Sequence, residues 1–275
     1  MTQYILPDVG LRSGTAMWKS WTIPREEGTR AHRIGASTLY VGIDEAGDGY
    51  VLTALVRYQD RPSRSSRAAE PLPPFADPAW TRRYMGAIEA YQLNPGYPSI
   101  PICVKLRESF LLGPGDDVQG WIFSHLEARV CVDDSLVGSF PLRKPYKTLY
   151  GTPDAGVICR YDEADFLASR EPTLDSLHGD PTLVAHPVRL KNTSAEPILV
   201  SDLCIYGEQL SIYAAGSHMQ SERLAFSFNQ SGVRMSLDGQ GLLPPGSRII
   251  ARPKVSGEER FIERSFELLR AMTRL

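Results

Sequence analysis

Leu39-Tyr40-Val41-Gly42-Ile43-Asp44-Glu45-Ala46-Gly47-Asp48-Gly49-Tyr50-Val51-Leu52-Thr53-Ala54-Leu55-Val56 is the stretch that decides the fold class. Leu39, Val41 and Ile43 recur at every second residue, and so do Tyr50, Leu52, Ala54 and Val56, which places each set on one face of an extended strand. The connection between them ends in Asp48-Gly49, residue types that tolerate positive φ, so the spacing predicts a β-hairpin. Asp44, Glu45 and Asp48 could contribute to a calcium loop, but the ligand series and closing glutamate of an EF-hand are missing, and the turn reading is preferred.

The same period of two continues outward along the chain. Ile102, Val104 and Leu106 alternate, Gly113-Pro114-Gly115-Asp116-Asp117 supplies a turn, and Ile122, Leu126, Ala128, Val130 and Val132 supply a further alternating face. His125 falls on the opposite side from that face, beside Trp121 and Phe123, and reads as a hydrogen-bonded packing residue. A second β pattern begins near residue 183 with Leu183–Leu190, turns through Asn192–Pro197 and resumes at Ile198–Val200. Asn192-Thr193-Ser194 has the form of a glycosylation triplet but reads here as a turn. Leu224, Phe226 and Phe228, then Val233, Met235 and Leu237, flank Asn229-Gln230-Ser231-Gly232 and predict another hairpin. Short strands at this spacing suggest β-sandwiches.

Three stretches depart from that pattern. Residues 60–77, with Arg61-Pro62-Ser63-Arg64-Ser65-Ser66-Arg67 and Pro71-Leu72-Pro73-Pro74, read as a long solvated loop. Asp77-Pro78 has the form of an N-cap followed by proline, and Trp80, Tyr84, Ile88 and Tyr91 recur at helical spacing, so a short helix is predicted over 78–91. Ser256-Gly257-Glu258-Glu259 resembles a capping box, with Phe261, Ile262, Phe266, Leu268, Leu269 and Met272 as an apolar stripe; a C-terminal helix is predicted, able to lie on its own domain or to dock a partner or a second copy. Asp162, Glu163 and Asp165 read as the start of a further short helix.

The 275 residues leave room for one large or two ordinary domains, and 42% hydrophobic against 23% charged residues exclude wholesale disorder. A net charge of −2, from 30 basic and 32 acidic residues, argues against a nucleic-acid coat, and no apolar run is long enough to span a bilayer. Met1-Thr2-Gln3-Tyr4-Ile5-Leu6-Pro7-Asp8 has neither the basic nor the apolar part of a secretory leader, so a cytoplasmic location is expected. Cys103, Cys131, Cys159 and Cys204 are widely spaced and sit in strand-like runs; buried free thiols are expected rather than zinc ligands or disulfides.

Motifs for nucleotide, hydrolase or metalloprotease chemistry are missing. His178-Gly179-Asp180 with His186 could form a metal site, but a turn followed by a strand explains them as well, and neither a metal nor a cofactor is expected. The segment Pro141–Tyr161 stands out instead, being dense in cations, tyrosines and glycines. Arg143, Lys144, Lys147 and Arg160 could neutralise a phosphate or carboxylate, Gly151 and Gly156 could expose backbone N–H groups, and Tyr146, Tyr150 and Tyr161 could stack on a base or line a pocket. The same residues could equally anchor a polar connector.

Lys147-Thr148-Leu149-Tyr150-Gly151 followed by Gly156-Val157-Ile158-Cys159-Arg160-Tyr161 resembles the signature of domain-of-unknown-function family 432, an uncharacterised prokaryotic family. The similarity extends more loosely to Leu111-Leu112-Gly113-Pro114-Gly115 and to the Val188–Val200 strands; Asp162-Glu163 departs from the aromatic and basic residues that commonly follow Arg-Tyr in the family. The resemblance implies a β-rich cytosolic protein, with members sometimes encoded beside small mechanosensitive channels, and implies no activity.

The expected fold is mainly β: two β-sandwich-like halves with a few short helices and a C-terminal helix. The expected division is an N-terminal domain over 1–140, a polar connector over 141–165 and a C-terminal domain over 166–275. The function expected first is a non-enzymatic binding or regulatory module that docks a protein, a channel's cytosolic region being the partner suggested by the resemblance, with neither nucleic acid nor membrane insertion involved. The alternative is an enzyme or sensor holding a small phosphorylated or carboxylated ligand at 143–161.

Overall fold

The structure is a computed structural model that describes residues 17–22, 29–46, 49–58, 72–86, 88–154, 156–168, 180–215, 218–230, 232–238, 246–254 and 265–266. Its strands are β1 (Ser20–Thr22), β2 (Thr29–Ile34), β3 (Ser37–Ala46), β4 (Gly49–Tyr58), β5 (Thr81–Met85), β6 (Ala90–Gly96), β7 (Ile102–Leu112), β8 (Asp117–His125), β9 (Glu127–Val132) and β10 (Ser135–Pro141). They continue as β11 (Lys147–Tyr150), β12 (Val157–Ala164), β13 (Leu183–Asn192), β14 (Ile198–Ile205), β15 (Ile212–Ala215), β16 (His218–Gln220), β17 (Leu224–Asn229), β18 (Gly232–Leu237), β19 (Arg248–Ala251) and β20 (Ser265–Phe266). The protein is mainly β. Helical structure among the described residues is confined to a single 3-10 turn, Gly207–Gln209.

The chain divides into two compact units that interleave in sequence, one made of 1–96, 126–144 and 179–182, the other of 97–125, 145–178 and 183–275. In the first unit, two four-stranded antiparallel sheets, β2-β3-β4-β5 and β1-β6-β9-β10, enclose one core. The hairpin expected from the alternation is β3–β4, with Leu39 opposite Val56, Val41 opposite Ala54 and Ile43 opposite Leu52. Leu39, Val41, Leu52 and Ala54 from one sheet meet Tyr91, Leu93, Ala128 and Val130 from the other in that core, all buried. Full burial of each large aliphatic side chain stabilises the fold by roughly 1.5–3 kcal/mol. Edge strand β5 is blunted: Arg83 lies opposite core residue Leu52, and its guanidinium donates to the carbonyl of Leu136. Arg83 is exposed, and a charged side chain on an edge strand discourages further pairing. The β9–β10 turn uses Asp133 and Asp134 at φ of +45° and +63°, the backbone that a two-residue hairpin turn requires but that glycine and asparagine adopt more readily.

The second unit holds a four-stranded sheet ordered β11-β12-β7-β14 and a larger sheet centred on β13. β13 pairs from Leu183 to Lys191 with antiparallel β8, and on its other side first with β16 and then with β17, both parallel. Pro187 falls between those two partners, where the ladder to β16 has ended at Ala185 and the ladder to β17 has not begun; proline, lacking an N–H, is tolerated at such a gap. Leu224 and Phe226 on β17 face Leu237 and Met235 on β18 in the second expected hairpin.

The structure corrects several expectations. The described residues of 78–91 form no helix: β5 and β6 occupy half of that range, with Gly86 and Ile88 in the link between them. Trp80, Ile88 and Tyr91 are buried as the pattern suggested, but they lie before, between and within the two strands, while Tyr84 is 60% exposed. Asp77 accepts from the backbone N of Ala79, as an N-cap would, yet only a turn follows. Asp162 and Glu163 do not start a helix; they belong to β12. The alternation from Ile122 to Val132 is not one strand: it breaks at Leu126, whose N–H donates to the carbonyl of Thr182. Most of the 60–77 loop and the expected C-terminal helix lie outside the described residues; within the latter, Ser265–Phe266 are described as strand, paired with Val233 and Arg234.

Candidate functional site

The polar segment singled out in the sequence folds, from Lys147 onward, as the antiparallel pair β11–β12 at one edge of the four-stranded sheet. Lys147 lies opposite Arg160, Thr148 opposite Cys159, Leu149 opposite Ile158 and Tyr150 opposite Val157. Gly151 leaves the strand at φ +115°, outside the range of ordinary side chains. Gly156 permits a close approach, since a Cβ there would lie 2.6 Å from the carbonyl of Thr152 and 2.7 Å from the Leu149 side chain.

The ladder's phase fixes which backbone groups are used. Tyr161 donates its N–H to the carbonyl of Tyr146. Alternation then directs Thr148 and Tyr150 toward β12, and leaves Lys147 and Leu149 with N–H and C=O pointing away from it. β11 is the terminal strand of its sheet, so among the described residues no strand covers that outer edge. Leu149 and Ile158 form a non-hydrogen-bonded pair, the geometry in which facing side chains come closest. They are 45% and 59% exposed, and Tyr146 just before them is 56% exposed. Two exposed apolar pairs mark the two edges of this sheet, Leu149 with Ile158 at β11 and Leu111 with Leu199 at β14.

The residues expected to bind an anion are divided between the two compact units. Arg143 and Lys144 are exposed and belong to the first unit, whereas Lys147, Tyr150, Gly151, Gly156, Arg160 and Tyr161 belong to the second. Within the second unit, Lys147 and Arg160 share a sheet face with Leu149 and Ile158, while Tyr150 and Tyr161 occupy the other face with Cys159. Lys147 is exposed, whereas Arg160 and Tyr150 are buried.

The face carrying Tyr150 also gathers thiols. Cys103 lies opposite Cys204 in the β7–β14 ladder, and the sulfurs of Cys159 and Cys204 are 3.9 Å apart. Cys103, Cys131, Cys159 and Cys204 are all free and buried, as expected. Burial, with Asp202 nearby, pushes the Cys103 thiol up to about 12. The contact with Cys159 and burial raise Cys204 as well, and the same contact draws Cys159 down. Asp202 follows a register shift in β14, and its partial burial raises its carboxyl above the usual range.

Two histidine arrangements in this unit were not assembled from the sequence. Asp162, 2% exposed, accepts from Nδ1 of His125 at 2.8 Å and from the backbone N of His125 at 2.7 Å. The packing role expected for His125 is thereby shown, and a carboxylate read as helical turns out to anchor it. His186 is held at both ring nitrogens, Nε2 by Ser124 and Nδ1 by Ser221, each at 2.8 Å. Ser221 Oγ donates to the carbonyl of Glu222, so it accepts from Nδ1–H, and Nε2 accepts from Ser124. Complete burial holds this imidazole neutral, with its pKa lowered to about 3. Both serines and the histidine are fully enclosed, so this is a packing network with no open face for a substrate. Among the described residues no three His, Cys, Asp or Glu side chains group as a metal site, and no helix is long and apolar enough to cross a membrane.

A protein-family model described as "Protein of unknown function (DUF432)" matches residues 17–272. No curated protein and no solved structure matches the chain.

Proposed function

Taking as premise that the chain belongs to the DUF432 family, whose description names no activity, we propose that it is a non-enzymatic binding module that docks a protein partner through the β11–β12 edge. The observation that carries this reading is the exposed Leu149–Ile158 pair beside a terminal strand whose outer edge no described strand covers. Covering the remaining surface of two half-exposed aliphatic side chains contributes about 1 kcal/mol each, enough to focus an interface but not to supply it alone. A cytosolic location, and a partner borne by a membrane channel, extend this reading and derive from the family resemblance.

The test is a display screen of protein fragments against the intact chain, counter-screened with the Leu149→Lys, Ile158→Lys double variant. Both sites are exposed, so the variant folds with a stability change within about 0.5 kcal/mol. Fragments that bind the parent protein and are lost with the variant support docking. If no fragment depends on those two side chains, the proposal is wrong.

A further inference from the structure

We infer that the partner docks as an added β-strand: a short extended acidic segment pairs its backbone with the outer edge of β11. This rests on the docking reading above and names the occupant and its mode. The outward N–H and C=O groups of Lys147 and Leu149 form a ready template for one more strand. Strand addition draws affinity from main-chain hydrogen bonds and selectivity from alternate side chains. The length of the template is set at its two ends. Pro145, two residues before Lys147, offers no N–H, and the chain leaves the strand at Gly151, so the ladder is confined to Lys147 and Leu149. The partner therefore needs only a brief extended run.

Charge selects its composition. β11 carries one charged side chain, Lys147, exposed on the same sheet face as Leu149. A strand with a carboxylate facing Lys147 and an apolar residue facing Leu149 satisfies both positions, Ile158 backing the apolar contact from the next strand. Pairing of two copies of this chain through the same edge is disfavoured, because both Lys147 side chains would share one face of a short ladder.

The experiment uses the full-length protein and a synthetic peptide of alternating glutamate and valine, with two companions: the same sequence N-methylated at alternate backbone amides, and a lysine–valine version. Fluorescence anisotropy reads affinity, and hydrogen exchange at single-amide resolution reads the edge. The acidic peptide is expected to bind, to slow exchange at Lys147 and Leu149, and to weaken about ten-fold or more on N-methylation, the scale of one lost main-chain hydrogen bond. Lys147→Glu is expected to weaken the acidic peptide and to favour the lysine–valine peptide. Absence of binding by the acidic peptide at millimolar concentration overturns the inference. So does binding that is indifferent to N-methylation, even if the fragment screen has supported docking. Slowed exchange at Lys147 and Leu149 that appears with rising protein concentration and no peptide also overturns it, assigning the edge to a second copy. Failure of the fragment screen itself refutes docking, a result separate from all of these.

Discussion

Lowering the pH from about 7.5 to about 5 should destabilise the protein by about 4 kcal/mol through His32 and His186 alone. Each compact unit contains one of them. His32 is hydrogen-bonded through Nε2 to the Tyr91 hydroxyl beneath the edge of Trp21, and burial, with the Arg30 charge adding to it, lowers its pKa from 6.5 to about 3. His186, between Ser124 and Ser221, is lowered from 6.5 to about 3 by burial, which outweighs the opposing pull of Asp162. Both folded-state values are depressed, so their contribution is complete above pH 6.5 and is lost as pH falls toward 3. At pH 5 the unfolded chain binds a proton at each imidazole that the fold refuses, costing about 2 kcal/mol per histidine. Asp202, with its raised carboxyl pKa, works in the opposite direction, so the histidine share is isolated by comparison with His186→Gln. Urea unfolding at a series of pH values, followed by tryptophan fluorescence and circular dichroism, measures the slope. The variant, whatever its starting stability, should lose about half of the parent's decline between pH 7 and 5. A parent protein whose stability is flat over that range, or a variant that keeps the full decline, would refute the reasoning.

Asp162→Ala should cost about 2–3 kcal/mol, because the backbone N–H and ring N–H of His125 lose their acceptor, while Asp162→Asn should cost less; thermal or urea unfolding separates the two. Replacing Asp133-Asp134 with Asn-Gly should stabilise the first unit by about 1 kcal/mol, since both positions hold positive φ; a lower melting temperature would contradict that turn geometry. All four thiols should be silent to a thiol reagent in the native protein and react in denaturant, and prompt native labelling of any of them would place it at the surface.

Strands were legible wherever one face meets a core. In β3 and β4 the apolar alternation marks the face that lines the core, so both strands and the hairpin joining them could be read from Leu39 to Val56. The helix expected at 78–91 shows the limit of periodicity: Trp80, Ile88 and Tyr91 share burial but not an element, and spacing alone cannot tell one helical face from separate strands turning into one core. Ile122 to Val132 shows the converse, where an unbroken alternation conceals the passage of the chain from one compact unit to the other at Leu126. In the candidate site, the prominent cations and tyrosines drew attention to the segment, but they do not reveal its place at a sheet edge. Period two between Lys147 and Tyr150 was there to be read, and it separates the cations from the tyrosines. What sequence could not show is exposure: Leu149 and Ile158 look like ordinary strand interior, and only the sheet order makes β11 an edge. The pairing of Asp162 with His125 and of Ser124 and Ser221 with His186 joins residues distant in the chain, with no local spacing to announce it.

Amide hydrogen exchange along residues 146–150 of the free protein bears most directly on the open edge. Thr148 and Tyr150, bonded to β12, should exchange slowly, and Lys147 and Leu149 between them should exchange at rates near those of solvent-exposed amides. Uniform protection through all four would show the edge already covered and leave no place for a partner strand.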